Sequence, residues 1–290
     1  VNRCSLLGTL ILVLLVGPAR AQDVEPEAYP WRFHRFDVLD YAVTGVVAAG
    51  YFSVELGVEP ATEARWSSTT FVDDAVRDWL RADSAQGRAR ADFWSDLFWY
   101  APMGLPWLDL TIPAGRGNWD TAWQMTHVNV QAFAISGFLT RSGHRLIARE
   151  RPDVAPCAED PAYNGDRCSA GSYASYPSGH TSTASLGAGL ACAHHLKLGL
   201  LGSDVADGLV CGTAVTMAVG AGVLRIVADR HHATDVVSGA AIGFGSGLVL
   251  PLLRHYREEA PVEDGAAVRW TVMPAIQGDD GLGVGAYGWF

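Results

Sequence analysis

The chain has 290 residues, 49% of them hydrophobic, and 31 acidic against 21 basic side chains give it a formal charge of −10. That length and apolar content suit one large domain or two small ones with a sizeable core, and argue against extensive disorder. The acidic balance argues against nucleic acid as a partner.

Residues 1–21 read as an export signal: Arg3 supplies the positive start, 6–16 is an apolar run, Gly17-Pro18 breaks it, and Ala19-Arg20-Ala21 offers a small-x-small cleavage site. Cleavage there starts the mature chain at Gln22 with 19 basic residues and a charge of about −12, and points to the periplasm or cell envelope. With Cys4 gone, four cysteines remain, an even set for an exported protein. Cys157 and Cys168 bracket a loop-like stretch and are expected to form a disulfide. Cys192 and Cys211 sit in apolar helix-like runs, either as core thiols or as a second bridge. None of the four has the spacing of a metal site, and no cofactor is expected.

Six segments have the length and apolar content of helices: 38–56, 93–111, 121–139, 183–201, 205–227 and 234–254. An all-α six-helix bundle follows, occupying a domain from 22 to 262. The charged stretch 72–91 predicts an amphipathic helix, and 153–176, rich in Pro, Asp and Gly, predicts a long loop. The tail, 263–290, alternates at 268–276, turns at 277–281, and is rich in Gly and aromatics to Phe290; this predicts a short β-hairpin. Phe290 resembles the aromatic end of an outer-membrane β-barrel strand, but two strands cannot close a barrel.

Three motifs carry chemistry: Arg151-Pro152, then Pro177-Ser178-Gly179-His180, then Arg225, His231 and Asp235 at intervals of six and four. A neutral imidazole is nucleophilic toward phosphorus near neutral pH, and the resulting phosphoramidate is labile; His231 is the candidate. Asp235, four residues on, would share a helical face with His231 and fix its tautomer. Arg151 and Arg225 offer planar forks for phosphate oxygens. Ser178 would cap a helix, Gly179 would let backbone approach an anion, and His180 would protonate the leaving oxygen. Taken singly, each motif also fits a surface turn or a dipole-complementing helix end.

At these residues the chain resembles the phosphatidic-acid-phosphatase type 2 superfamily, which includes bacterial class A acid phosphatases and vanadium haloperoxidases. That pattern is K-x6-R-P, P-S-G-H and S-R-x5-H-x3-D, and the match by motif covers 144–235. The resemblance implies His231 as nucleophile, His180 as general acid, Asp235 as the partner of His231, and Arg151, Arg225, Ser178 and Gly179 as a phosphate cradle. Two positions depart: His144 stands for the lysine and Leu224 for the serine. A titrating side chain at His144 would make phosphate binding pH-dependent, and Arg141 or Arg145 could substitute for the lysine.

The expected activity is metal-independent hydrolysis of a phosphomonoester, with a lipid phosphate preferred on account of the apolar helices. The alternatives are a soluble periplasmic acid phosphatase, a vanadium-dependent haloperoxidase, and a non-catalytic envelope protein that binds lipid or serves a structural role. The apolar runs carry Asp40, Glu55, Asp96, Asp109, His194, His195 and Lys197, costly at bilayer depth unless buried in protein. If the first three helices all crossed a membrane after a cleaved signal, Arg151 would face the cytoplasm. An exported bundle associated with the membrane, or one with a non-spanning helix among the three, is therefore expected. The aromatic cluster 93–107 reads as core or interface packing.

Overall fold

The computed structural model describes residues 31–165, 168, 173–258, 269–277 and 281–289. The export signal falls outside them. The helices are α1 (Val38–Gly57), α2 (Phe71–Leu80), α3 (Ala85–Leu108), α4 (Thr111–Gly115), α5 (Trp119–Leu146), α6 (Val154–Glu159), α7 (Gly179–Leu198), α8 (Asp204–Val227), α9 (Ala233–Phe244) and α10 (Leu250–Arg254). The all-α class holds for the body of the chain. More helical segments are present than the six expected, because several are too short to show as apolar runs and the last run is divided by a π-helical turn at Gly245–Val249.

The charged stretch 72–91 is not one helix. Thr70 caps α2, whose side chain accepts from the Asp73 amide, and Ser84 starts α3 by accepting from Gly87, so the chain breaks at 81–84. Helix α3 then runs through the aromatic cluster and past Pro102 and Pro106. A proline deprives the preceding turn of a donor; near the end of the helix, Asn129 of α5 donates to the Pro106 carbonyl at 2.9 Å.

Helix α7 is the axis of the bundle. Its residues from Thr181 to His195 are almost all buried, as expected of a helix with apolar and small residues on every side. The neighbours approach through glycine: Gly239, Gly243 and Gly247 recur every four residues along α9 and the π turn. A Cβ on them would come within 2.5, 2.2 and 2.2 Å of the carbonyl oxygens of Ser178, Ser182 and Leu186. Met125 and Val128 of α5 pack against Leu186 and Leu190 of α7, together with Trp31, Phe33 and Tyr256, and an alanine-lined seam joins α7 to α8.

Both cysteine pairs are bridged, Cys157 to Cys168 and Cys192 to Cys211, the second tying α7 to α8. In the tail, β1 (Arg269–Gln277) and β2 (Gly281–Trp289) pair antiparallel, with Arg269 opposite Trp289 and Gln277 opposite Gly281.

The charges that make these helices poor bilayer partners are paired within the protein. Asp40 takes Arg254, Glu55 takes Arg141 and Arg145, and His195 sits between Asp109 and Asp207. His194 bridges Tyr256 and Asn129. Both adjacent histidines are thus paired inside the bundle.

Candidate functional site

The three motifs converge where α8 ends and α7 and α9 begin. Arg225 lies in the last turn of α8. Asp229 follows in a left-handed conformation, φ 59°, which aspartate tolerates better than most residues. Its buried carboxylate takes Arg77 at 2.6 and 2.7 Å and the Tyr163 hydroxyl at 2.8 Å, which fixes the turn that presents His231.

His231 precedes α9 rather than starting it, and His232 is the N-cap. The expected direct bond to Asp235 is therefore not made. Asp235, at the third helical position, accepts the His232 amide at 2.9 Å, as capping geometry requires. The Nδ1–H of His231 instead donates to the Ser175 carbonyl at 2.8 Å, with Asp235 Oδ2 at 3.8 Å. Because a carbonyl can only accept, the ring carries its proton on Nδ1 and its lone pair on Nε2. Burial, then Arg151 and Arg225, hold the imidazole well below its usual range, so it is neutral.

Asp235 works behind this pair. The Ser175 hydroxyl donates to it at 2.6 Å and Arg149 at 2.5 Å. Burial pushes its carboxyl up, opposed by Ser175 and Arg149. Arg149, fully buried, also bonds Asp73 of α2 at 2.7 Å and Thr234 at 2.6 Å, and lies over the Trp66 ring at 4.0 Å. Neither Arg149 nor Ser175 stood out in the sequence, since a single arginine two places before Arg151 carries no pattern of its own.

The cations differ in how they are held. Arg225 is anchored by Asp92 and by Ser95 at 3.3 Å, both on α3. Arg230 donates to Asp153 at 2.8 Å. In Arg151, Nε and Nη1 are buried with no hydrogen-bond partner among the described residues. Burial, with Arg230 and Arg225 nearby, pushes that guanidinium down to about 9, so it stays charged at neutral pH. Unpaired buried guanidinium donors are costly, and an anion is the group that would satisfy them.

Ser178 caps α7, its Oγ accepting from the Thr181 hydroxyl at 2.9 Å, and its amide donates to the Asp235 carbonyl at 3.0 Å. Gly179 opens the helix. His180, in the first turn, bonds Asp96 at 2.9 Å through Nε2 and packs on Trp99, ring centroids 4.4 Å apart. Burial, then Arg225 and His231, press its imidazole down to about 2.

His144 does not supply a third cation. Its Nε2–H donates to the Pro177 carbonyl at 2.8 Å, and burial holds it down at about 4, neutral at physiological pH. Its ring lies beside Gly179, where an added Cβ would stand 3.3 Å from His144 Cε1. Arg141 and Arg145 are no substitutes, since both are paired with Glu55 on α1. Arg230 is the guanidinium that joins Arg151 and Arg225, acting on both of them and on His180. Among the described residues, one group has metal-ligand geometry, His34, Asp37 and Asp40, but it lies at the start of α1, where Arg254 pairs with both carboxylates.

A family model described as the PAP2 superfamily matches residues 129–259. No curated protein and no solved structure matches the chain. That match runs from within α5 past the end of α10 and takes in all three motifs, which assigns this part of the chain to the PAP2 superfamily.

Proposed function

We propose that this protein is a metal-independent phosphohydrolase acting on a phosphomonoester through a phosphohistidine. Membership of the superfamily favours phosphatase-type chemistry in general. The observation that carries the finer reading is the pairing of a neutral His231, its lone pair on Nε2, with a half-buried Arg151 whose buried Nε and Nη1 lack partners among the described residues. Substrate phosphate would take those donors and Arg225, with the amides opening α7 adding to the cradle. Nε2 of His231 would attack phosphorus as the ester oxygen leaves with a proton from His180. Water, deprotonated by His180, would then release phosphate and restore His231.

A lipid phosphate is the preferred substrate class. Helix α3 exposes Phe93, Trp94, Leu97 and Tyr100 around Asp96, and two stretches, Asp204–Val227 and Ala233–Arg254, are long and apolar enough to cross a membrane. Membrane association fits those features, and two disulfides fit an exported protein in an oxidising compartment.

Phosphate release from a phosphatidate and from a soluble aryl phosphate, beside a His231→Ala control, tests the proposal. Turnover abolished by the substitution supports it, and the preferred ester separates a lipid phosphatase from a soluble acid phosphatase. Halide oxidation appearing only with added vanadate would move the site to haloperoxidase chemistry. Phosphate or lipid binding without turnover would make the pocket non-catalytic.

A further inference from the structure

Helix α3 presents Asp92, Ser95, Asp96 and Trp99 to the site, positions i, i+3, i+4 and i+7 and so one helical face. Asp92 and Ser95 anchor Arg225, whereas Asp96 and Trp99 both engage His180. Asp96 interrupts the apolar and aromatic run that follows Asp92 in this helix. The Asp96 side chain keeps 44% of its exposure against 24% for His180, so the carboxylate stands toward solvent and the imidazole inward.

We propose that Asp96 is a positioning residue for His180, fixing its ring and sharing its charge while the leaving group departs. The inference rests on the phosphohydrolase reading above. An ionised carboxylate only accepts, so Nε2 of His180 carries a proton toward Asp96, and Nδ1 is the atom that gives and takes the second proton. In the first half-reaction the His231 Nε2–P bond forms and the P–O ester bond breaks. The departing electron pair takes the proton from Nδ1 of His180, leaving that ring neutral. In the second half-reaction water attacks phosphorus, its proton returns to Nδ1, and the P–N electron pair returns to His231. His180 must therefore hold two protons before the first step, yet its burial first, and then the charges of Arg225, His231, Arg151 and Arg230, oppose that. A bound phosphate dianion offsets the arginines, and Asp96 supplies the remaining compensation from α3.

The test is kcat/KM, which reports only steps through formation of the phosphoenzyme, for an alkyl phosphate and for dinitrophenyl phosphate, whose leaving group needs no proton. Asp96→Asn should lower the alkyl value by roughly 10²-fold and the dinitrophenyl value by less than about 3-fold. It should also move the alkaline limb of the alkyl profile to lower pH, and Asp96→Glu should restore part of the loss. Equal losses on both esters in a variant with wild-type thermal stability, or no loss on either, would overturn the role. Failure of the wild-type chain to release phosphate from either ester would instead remove the phosphohydrolase reading, and this inference with it.

Discussion

His231 Nδ1 is 2.8 Å from the Ser175 carbonyl and 3.8 Å from Asp235 Oδ2, so a backbone oxygen, not the carboxylate, fixes the ring. Asp235 reaches His231 through Ser175, whose hydroxyl it binds at 2.6 Å. Ser175→Ala should therefore reproduce part of the effect of Asp235→Asn. Both should lower kcat for phosphate release with little change in KM, the serine variant by roughly 10-fold, because orientation of the attacking base is lost while phosphate binding is kept. If Ser175→Ala turned over at the wild-type rate, the indirect path would be wrong.

Arg149 is the ion on which two carboxylates depend. It is fully buried and pairs with Asp73 and Asp235, and removing it would leave both without their cation. Arg149→Met is expected to cost about 3–5 kcal/mol of stability, the range for breaking a buried pair from one side. A thermal or urea unfolding curve measures this. Arg149→Lys should recover little, since one ammonium cannot reach Asp73, Asp235 and Thr234 in the planar geometry that the fork provides.

At His144 the expected pH dependence of phosphate binding is replaced by a different outcome. The ring is held down at about 4 and its Nε2–H is committed to Pro177, so it gains no charge between pH 5 and 8. Inhibition by inorganic phosphate should follow the same pH curve in His144→Gln as in the wild-type chain. A separation of the two curves near pH 6 to 7 would show that His144 titrates in the site.

The motifs were legible because each is a short local string, and the fold brings Arg151, Arg225, His180 and His231 within electrostatic reach of one another. The α7 start was legible too, since Ser178 caps it as a Pro-Ser-Gly string implies. Partners contributed by distant segments were not. Asp92 and Asp96 lie more than eighty residues before the groups they hold, the first at the edge of and the second inside a run that reads as aromatic packing. The split between α2 and α3 was missed because helical charge patterning continues across Ser84, and only the cap marks the break. The roles of His144 and Asp235 shifted for one reason: a sequence motif names side chains but not the backbone carbonyls, here Pro177 and Ser175, that accept the imidazole protons of His144 and His231.

The glycine stripe gives a stability prediction independent of chemistry. A Cβ at Gly243 would stand 2.2 Å from the Ser182 carbonyl, whereas one at Gly45 of α1 meets nothing within 4 Å. Gly243→Ala should lower the melting temperature by forcing α9 away from α7, displacing the backbone that carries Ser178 and His180. Gly45→Ala should leave stability unchanged or raise it by up to about 1 kcal/mol through helix propensity. Equal melting temperatures for the two variants would contradict the close approach of these helices.

Acid should unfold this protein early, and the sign follows from its buried neutral histidines. His144 and His255 are held at about 4 and His194 at about 3, in each case first by burial. In the unfolded chain each takes its proton near pH 6.5, so between that value and about 4 the unfolded state binds more protons, and stability falls as pH falls. His195 acts in the opposite sense: burial lowers its affinity, but Asp109 and Asp207 outweigh that and raise it, so its contribution is present at low pH and is lost as pH rises through its folded value. One raised histidine cannot offset three depressed ones, and melting temperature should drop from pH 7 to pH 4.5. Replacing His255 by Gln, which keeps a side chain able to hydrogen-bond Gln131, should flatten that slope by removing one proton from the unfolded-state excess. A slope unchanged in His255→Gln would mean that His255 already carries its proton in the folded protein.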